Sequence, residues 1–208
     1  MSQNTIKVWD PLVRIFHWSL VIFFTIAFLT GEEAESLHVY AGYVVVGLVL
    51  FRILWGFVGP EHARFKDFVF GPGKVIQYLK SLASGSTQRY VGHNPVGGYM
   101  VVLMLATLLV VTYTGLKAYA AEGHGPLAAN AEISVIFIAK AVEGDRKGNG
   151  AGERGKNNDE KYWEEIHEAA SNFMLGLIVL HILGVVIYSR LHKENLVKAM
   201  ITGEKDSE

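Results

Sequence analysis

One stretch near the C-terminus constrains the fold more than any other part of the chain. Residues 163–192 form an apolar run of membrane-spanning length that contains two histidines, His167 and His181. Their separation of fourteen residues is almost four helical turns, so both imidazoles leave one face of a helix, about 21 Å apart along its axis. Polar side chains at membrane depth are costly and usually functional. The spacing therefore predicts one wall of a two-centre cofactor site, although either histidine alone would be read as an ordinary packed residue.

The composition is that of one integral membrane domain covering residues 1–208. Half of the residues are hydrophobic and only 19% are charged. A net charge of −1, without clusters of basic and aromatic residues, argues against nucleic acid as a partner. The chain has no cysteine, which excludes covalent haem attachment, cysteine-ligated iron–sulfur clusters and disulfides. Histidine is left as the main soft-metal ligand, so any haem would be held non-covalently.

Four apolar segments predict an all-α integral membrane four-helix bundle with up-down-up-down topology. The first begins at Asp10 and Pro11, an N-cap residue followed by proline in the first turn. A signal peptide is the rival interpretation of this segment, but no small-residue cleavage site precedes Glu32. The predicted spans are approximately residues 11–30, 36–58, 97–116 and 163–190.

The two longer loops, residues 59–95 and 118–160, are each predicted to contain a short surface helix. In the first loop the segment KVIQYLKSLA has apolar residues at helical spacing but is too short to span. In the second, the apolar decamer 133–142 is interpreted as a helix over the bundle end, and the polar residues 143–160 are predicted to be mobile. Basic residues concentrate in the first loop and near both termini, so both termini are predicted to be cytoplasmic.

Two further histidines on the first two spans complete the pattern. His17 lies fourteen residues before Gly31, and His38 lies just beyond the same turn. His17 therefore shares the inner level with His181, and His38 shares the outer level with His167. Two facing imidazoles on one iron make a six-coordinate haem that suits electron transfer. Glycines on these spans could admit the macrocycle or, equally, serve close helix packing; they are Gly42, Gly47, Gly176 and Gly184.

Two arginines, Arg14 and Arg52, lie near the predicted inner haem. They could pair with its propionates or, with equal weight, anchor the helices at the lipid headgroups. The default for the histidines outside the spans is solvation. These are His62, His93, His124 and His192, of which His192 lies where a quinone headgroup could meet protons.

Four segments at these residues resemble prokaryotic di-haem b-type cytochromes, the cytochrome b561-like family. They are WDPLVRIFHW, LHVYAGYVVVGLVLFRILWG, GHNPVGGYM and HEAASNFMLGLIVLHILGVVIYS. That family includes the membrane subunits of nickel–iron hydrogenases and of some formate dehydrogenases. The resemblance implies that His17 and His181 ligate an inner haem b and that His38 and His167 ligate an outer one. It also implies electron transfer between a periplasmic redox partner and the quinone pool.

These observations lead us to expect an electron-transfer subunit of a quinone-linked oxidoreductase in a bacterial inner membrane. Its cofactors would be two b haems, its substrate a quinone, and its partner a c-type cytochrome, a hydrogenase or a dehydrogenase. The sequence leaves a homodimer open. One alternative is a free-standing enzyme that passes electrons from superoxide to quinone. Another, of a different class, is a transporter or proton channel that uses its histidines as a relay and binds no haem.

Overall fold

The structure, a computed structural model, describes residues 5–31, 35–86, 88–128 and 151–206, with only the backbone of residues 151–157 and 206. Four of the described helices are long and apolar enough to cross a membrane, and the all-α prediction is confirmed. The elements in chain order are β1 (Thr5–Lys7), α1 (Pro11–Thr30), α2 (Glu35–Val58), α3 (Phe65–Phe68), α4 (Pro72–Ala83), α5 (Pro95–Ala121), α6 (Ala151–His192), α7 (Leu196–Thr202) and β2 (Glu204–Asp206).

Large apolar side chains point outward from the four long helices. Ile15, Leu54, Tyr113 and Ile182, one from each of these helices, are each more than half exposed. Water-soluble monomers rarely leave contiguous apolar faces of this kind uncovered. In a bilayer the acyl chains cover such faces, and a helix satisfies its own backbone hydrogen bonds. The chain is therefore a multi-pass membrane protein.

The first helix begins where the sequence predicts. Asp10 caps α1 by accepting a hydrogen bond from the Leu12 backbone N–H at 3.1 Å. The second carboxylate oxygen of Asp10 accepts a hydrogen bond from Trp55 Nε1 at 2.6 Å, which joins the start of α1 to the end of α2. These two helices pack against each other as antiparallel neighbours, as their short connection requires.

A small sheet joins the two ends of the chain, and the sequence analysis did not predict it. β1 pairs antiparallel with β2, with Thr5 opposite Asp206. Just after β1, the backbone N–H groups of Val8 and Trp9 donate to the Gly203 carbonyl at 2.9 and 3.1 Å. Strands of three residues are too short for an alternating pattern, so they leave little trace in the sequence. β1 and β2 thus lie on the same side, as the four spans among the described residues require.

Two helices are longer than predicted. α5 ends at Ala121 instead of at 116, and α6 begins at Ala151 instead of at 163. The polar stretch before Trp163 cannot form a core, but a helix that is already nucleated by an apolar span adds residues at little cost. Lys161 and Glu165, which are four residues apart in the sequence, form an ion pair at 3.8 Å that is compatible with this extension.

The predicted surface helices have different outcomes. The one in the 59–95 loop is present as α4, with Tyr78 buried and Ile76 and Leu79 about half exposed. The decamer 133–142 and residues 143–150 lie outside the described residues.

The chain has two compact parts. One comprises Met1–Ala106 together with Met174–Glu208, and the other comprises Thr107–Phe173. The boundary falls inside α5 and inside α6. All the site residues predicted from the sequence belong to the first part except His167, which belongs to the second.

Candidate functional site

The inner histidine pair lies in the first part, near the end that carries the β1–β2 sheet. His17 is on α1 and His181 is on α6, and their imidazoles are close enough to interact electrostatically. Trp18, next to His17, donates from Nε1 to the Met200 carbonyl of α7 at 3.4 Å. Nδ1 of His17 is buried without a hydrogen-bond partner among the described residues. Two imidazoles from separate helices at one level are a donor set that suits a six-coordinate iron.

The two arginines near this pair have different surroundings. Arg14 donates from Nη1 to the Ile201 carbonyl at 2.7 Å, and its Nε is buried without a partner in the described part of the chain. Arg52 is only 3% exposed, so it does not reach outward as a headgroup anchor would. Its guanidinium lies over the rings of Phe65 and Phe68, at 5.3 and 5.8 Å from their centroids.

A buried guanidinium normally has an anion or a set of carbonyl oxygens around it, because an unpaired buried charge is costly. Nη1 of Arg52 has no hydrogen-bond partner among the residues described. The surroundings of Arg52 therefore fit an anionic group that the described residues do not provide.

The His38 ring is oriented by a backbone carbonyl of the same compact part of the chain. Its Nδ1 lies 2.8 Å from the Ala27 carbonyl oxygen of α1. A carbonyl oxygen can only accept, so Nδ1 is the protonated nitrogen and Nε2 carries the lone pair. A hydrogen bond of this kind fixes the tautomer and the ring orientation of a metal-binding histidine.

His167 has the same arrangement in the second part. Its Nδ1 lies 3.0 Å from the Val111 carbonyl oxygen and 3.2 Å from Thr114 Oγ1, both on α5. The neighbouring Gly115 has no room for a side chain, because a Cβ there would lie 2.9 Å from Cε1 of His167. Helix α5 carries no histidine in its apolar span, yet it fixes the ring of one.

Open space adjoins the glycines that were considered as haem-facing positions. A Cβ at any of them would meet no atom within 4 Å beyond its own turns of helix in the described chain, so no described helix packs closely against them; they are Gly42, Gly47, Gly176 and Gly184. The residues present therefore fit a haem. The chain provides imidazoles for the iron and open helix faces for the macrocycle. It also provides buried nitrogens, without partners among the described residues, for the haem carboxylates.

The prediction of solvation fails for one loop histidine. Nδ1 of His93 is buried, and the His93 ring packs against two aromatic rings. The prediction that this side chain is solvated is therefore wrong. The sequence carries no direct sign of this, because His93 lies in a loop and has no periodic neighbours. His124 is exposed as predicted. His192 is half-buried, with Nδ1 3.2 Å from the Tyr188 carbonyl oxygen.

Comparisons with known proteins identify relatives of this chain. The chain is similar to proteins named "Probable Ni/Fe-hydrogenase B-type cytochrome subunit". One from Rhizobium leguminosarum bv. viciae is 28% identical, over 60% of this chain and 64% of the relative. One from Bradyrhizobium diazoefficiens is 21% identical, over 99% of this chain and 87% of the relative. One from Cupriavidus necator is 23% identical, over 97% of this chain and 88% of the relative.

The match to the first of these relatives spans less than two thirds of its length. No solved structure matches the chain. The family described as "Prokaryotic cytochrome b561" matches residues 8–203, which includes all four histidines of the two predicted pairs. This chain therefore belongs to the prokaryotic cytochrome b561 family.

Proposed function

We propose that the chain is the membrane electron-transfer subunit of a quinone-linked oxidoreductase and that it holds two b haems, each between two histidines. The main support is the approach of His17 and His181 from separate helices, beside buried nitrogens without partners in the described residues. A haem held in this way gains and loses one electron at the iron and has no open position for a substrate.

The inner haem would be held by residues of the first part of the chain. His17 and His181 provide the axial nitrogens, and Arg14 and Arg52 provide positive charge for the propionates. Charge-assisted bonds between guanidinium and carboxylate are strong, and buried Arg52 would gain the anion that its surroundings lack. Arg14 is oriented by its Nη1 hydrogen bond to the Ile201 carbonyl, and its buried Nε, which has no partner among the described residues, would bind a propionate.

The outer haem would use His38 and His167, as the sequence spacing predicts. Both rings have Nδ1 hydrogen bonds to backbone carbonyls, which is the kind of contact that orients a metal-binding histidine. Prior orientation of this kind reduces the entropy lost when a ligand binds. It supports the assignment of each residue separately.

The proposed partners follow from chemistry and from the relatives. The relatives' names associate them with Ni/Fe-hydrogenase, so a hydrogenase on the periplasmic side is the first candidate. The quinone pool would exchange electrons at the inner end. The concentration of basic residues near both termini supports a cytoplasmic position for both, in a bacterial inner membrane. A homodimer remains compatible with this arrangement.

The haem-to-protein ratio of the purified chain tests the proposal most directly. We expect about two non-covalent haems per chain, with a Soret band and reduced α bands typical of low-spin b haem. A preparation that is colourless after growth with added haem would contradict the proposal. It would favour a histidine relay, whose optical spectrum has no haem bands.

A substitution next to His167 should affect the outer haem alone. In Gly115→Ala the new Cβ would lie 2.9 Å from Cε1 of His167, so the ring must leave the position in which it bonds the Val111 carbonyl. We expect lower outer-haem occupancy or a changed outer-haem potential, measured by haem content and redox titration. Gly73→Ala is the matched control, because a Cβ at Gly73 meets nothing within 4 Å. Equal effects from both variants would contradict this role of Gly115.

A further inference from the structure

His93 lies among aromatic rings just before α5 begins. Its ring is 4.7 Å from that of Trp9 and 4.6 Å from that of Phe68, centroid to centroid. Part of the ring is accessible, but Nδ1 is buried and has no hydrogen-bond partner in the described part of the chain. A buried polar nitrogen without a partner costs free energy, so this position suggests a ligand atom close to Nδ1.

The local structure holds His93 firmly in place. The next residue, Asn94, caps α5 by accepting a hydrogen bond from the Gly97 N–H at 2.8 Å. One residue further along, a Cβ at Gly98 would collide with the Phe68 carbonyl oxygen, so the start of α5 lies directly against α3. Phe68 itself is 1% exposed. These contacts fix the position of the His93 ring relative to Phe68.

Arg52 lies beside the same phenylalanine. Its guanidinium carbon is 5.8 Å from the Phe68 ring centroid, and Nη1, like His93 Nδ1, is buried with no partner among the described residues. Burial lowers the pKa of His93 to about 3, and the Arg52 charge contributes to this effect. The His93 imidazole is therefore neutral at physiological pH and can still donate one hydrogen bond from a ring nitrogen.

Carboxylates are absent from the groups that act on His93. Besides burial and the Arg52 charge, the groups that lower the pKa of His93 are Lys205, His62 and His181, which are basic. The nearby carboxylates already have partners: Glu194 pairs with Arg89 and Lys205. Asp67 pairs with Arg64, and Asp10 accepts hydrogen bonds from Leu12 N–H and Trp55 Nε1. The surroundings of His93 and Arg52 thus favour an anion from outside the polypeptide, at the level of an inner haem ligand.

We propose that His93 Nδ1 and Arg52 Nη1 together bind one propionate of the inner haem. The inference rests on the proposed function, because it requires an inner haem. Arg52 provides the charge and His93 provides a neutral, directional donor, so the carboxylate is held by two groups from α2 and from the loop before α5. His93 is a positioning residue for the cofactor, and the electron-transfer step itself does not require it.

Hydrogen bonds to a propionate spread its negative charge away from the iron. Without them the carboxylate stabilises the oxidised iron more strongly, and the midpoint potential falls. The potential of the inner haem therefore reports the His93 contact without any measurement of activity. A variant that keeps a donor at the Nδ1 position should retain the potential, whereas one that moves the donor should lower it.

His93→Asn and His93→Gln provide this comparison. The amide of Asn can replace Nδ1, and the longer amide of Gln can replace only Nε2. In a His38→Ala background, which removes the outer haem, redox titration should show a lower inner-haem potential for His93→Gln and a nearly unchanged one for His93→Asn. His124→Gln is the control, because His124 is an exposed loop histidine that is not among the groups acting on His93, and it should leave the potential unchanged.

Arg52→Gln adds a second test. We expect it to lower the inner-haem potential, and we expect His93→Gln to lower it by less in the Arg52→Gln background than alone, because the two residues share one carboxylate. Additive shifts would overturn the proposal. Equal inner-haem potentials in His93→Asn and His93→Gln would also overturn it. Loss of the inner haem from both of these variants would overturn it as well. Absence of haem from the unsubstituted chain would instead refute the proposed function.

Discussion

Replacement of His181 by alanine is expected to lower the haem content of the purified protein from about two haems per chain to about one. An alanine cannot coordinate iron, and an iron bound by His17 alone would lose one of its two strong axial ligands. The remaining haem should have the spectrum and potential of the outer site. Pyridine haemochrome quantification against protein concentration, with redox titration of the α band, measures both quantities.

The partner substitution provides the sharper test of the pairing. His17→Ala should remove the same haem as His181→Ala, and the double variant should still retain one, because both ligands serve a single iron. His181→Ala combined with His38→Ala should remove both. His124→Ala is the matched control, since His124 is exposed and has no proposed ligand role. Retention of both haems in His181→Ala, or loss of different haems in the two single variants, would contradict the pairing.

The membrane helices and the presence of His167 and His181 on one helix could be predicted because they depend on local rules. Asp10 and Pro11 mark the start of α1 by capping chemistry, and the structure has the same start. The spacing of His167 and His181 needs only the geometry of a continuous helix. α6 contains both residues without a break, so their separation along one helix is the predicted one.

Other features depend on residues that are distant in sequence. The burial of Arg52 results from Phe65 and Phe68, which follow in the next loop, so the choice between headgroup anchor and buried cation could not be made from α2 alone. His93 gives no periodic signal, because its position depends on the approach of α3 to Gly98. The sheet joins Thr5 to Asp206, and no local pattern connects the two ends of a chain.

A second large effect is expected from Glu194→Ala, at the C-terminal end of the first part. Glu194 is 8% exposed and Lys205 is 5% exposed. Glu194 accepts from Arg89 Nε at 2.8 Å, and its other oxygen lies 3.4 Å from Lys205 Nζ. Burial lowers the pKa of Lys205, and Glu194 acts in the opposite direction. Without Glu194, two cations lose their carboxylate partner in a poorly solvated position.

Removal of one partner of a buried ion pair typically costs about 3–5 kcal/mol, because the remaining charge is uncompensated. We expect a loss of this order in the free energy of unfolding, measured by thermal denaturation of the detergent-solubilised protein. Asp67→Ala is the control, since the Arg64–Asp67 pair is partly exposed, at 32% and 22% for the two side chains. Exposed pairs contribute about 0–1 kcal/mol. Similar losses in the two variants would contradict the stabilising role of the buried cluster.

The effect of Glu194→Ala should also extend along the C-terminal segment to the inner haem. Lys205 lies in β2, and the Gly203 carbonyl next to this strand accepts from Val8 and Trp9. Release of Lys205 should therefore increase amide hydrogen exchange in residues 196–206. The Ile201 carbonyl in the same segment binds Arg14, a proposed propionate partner. A loosened segment would leave Arg14 without this anchor, so the inner-haem potential should change while the outer-haem potential stays constant.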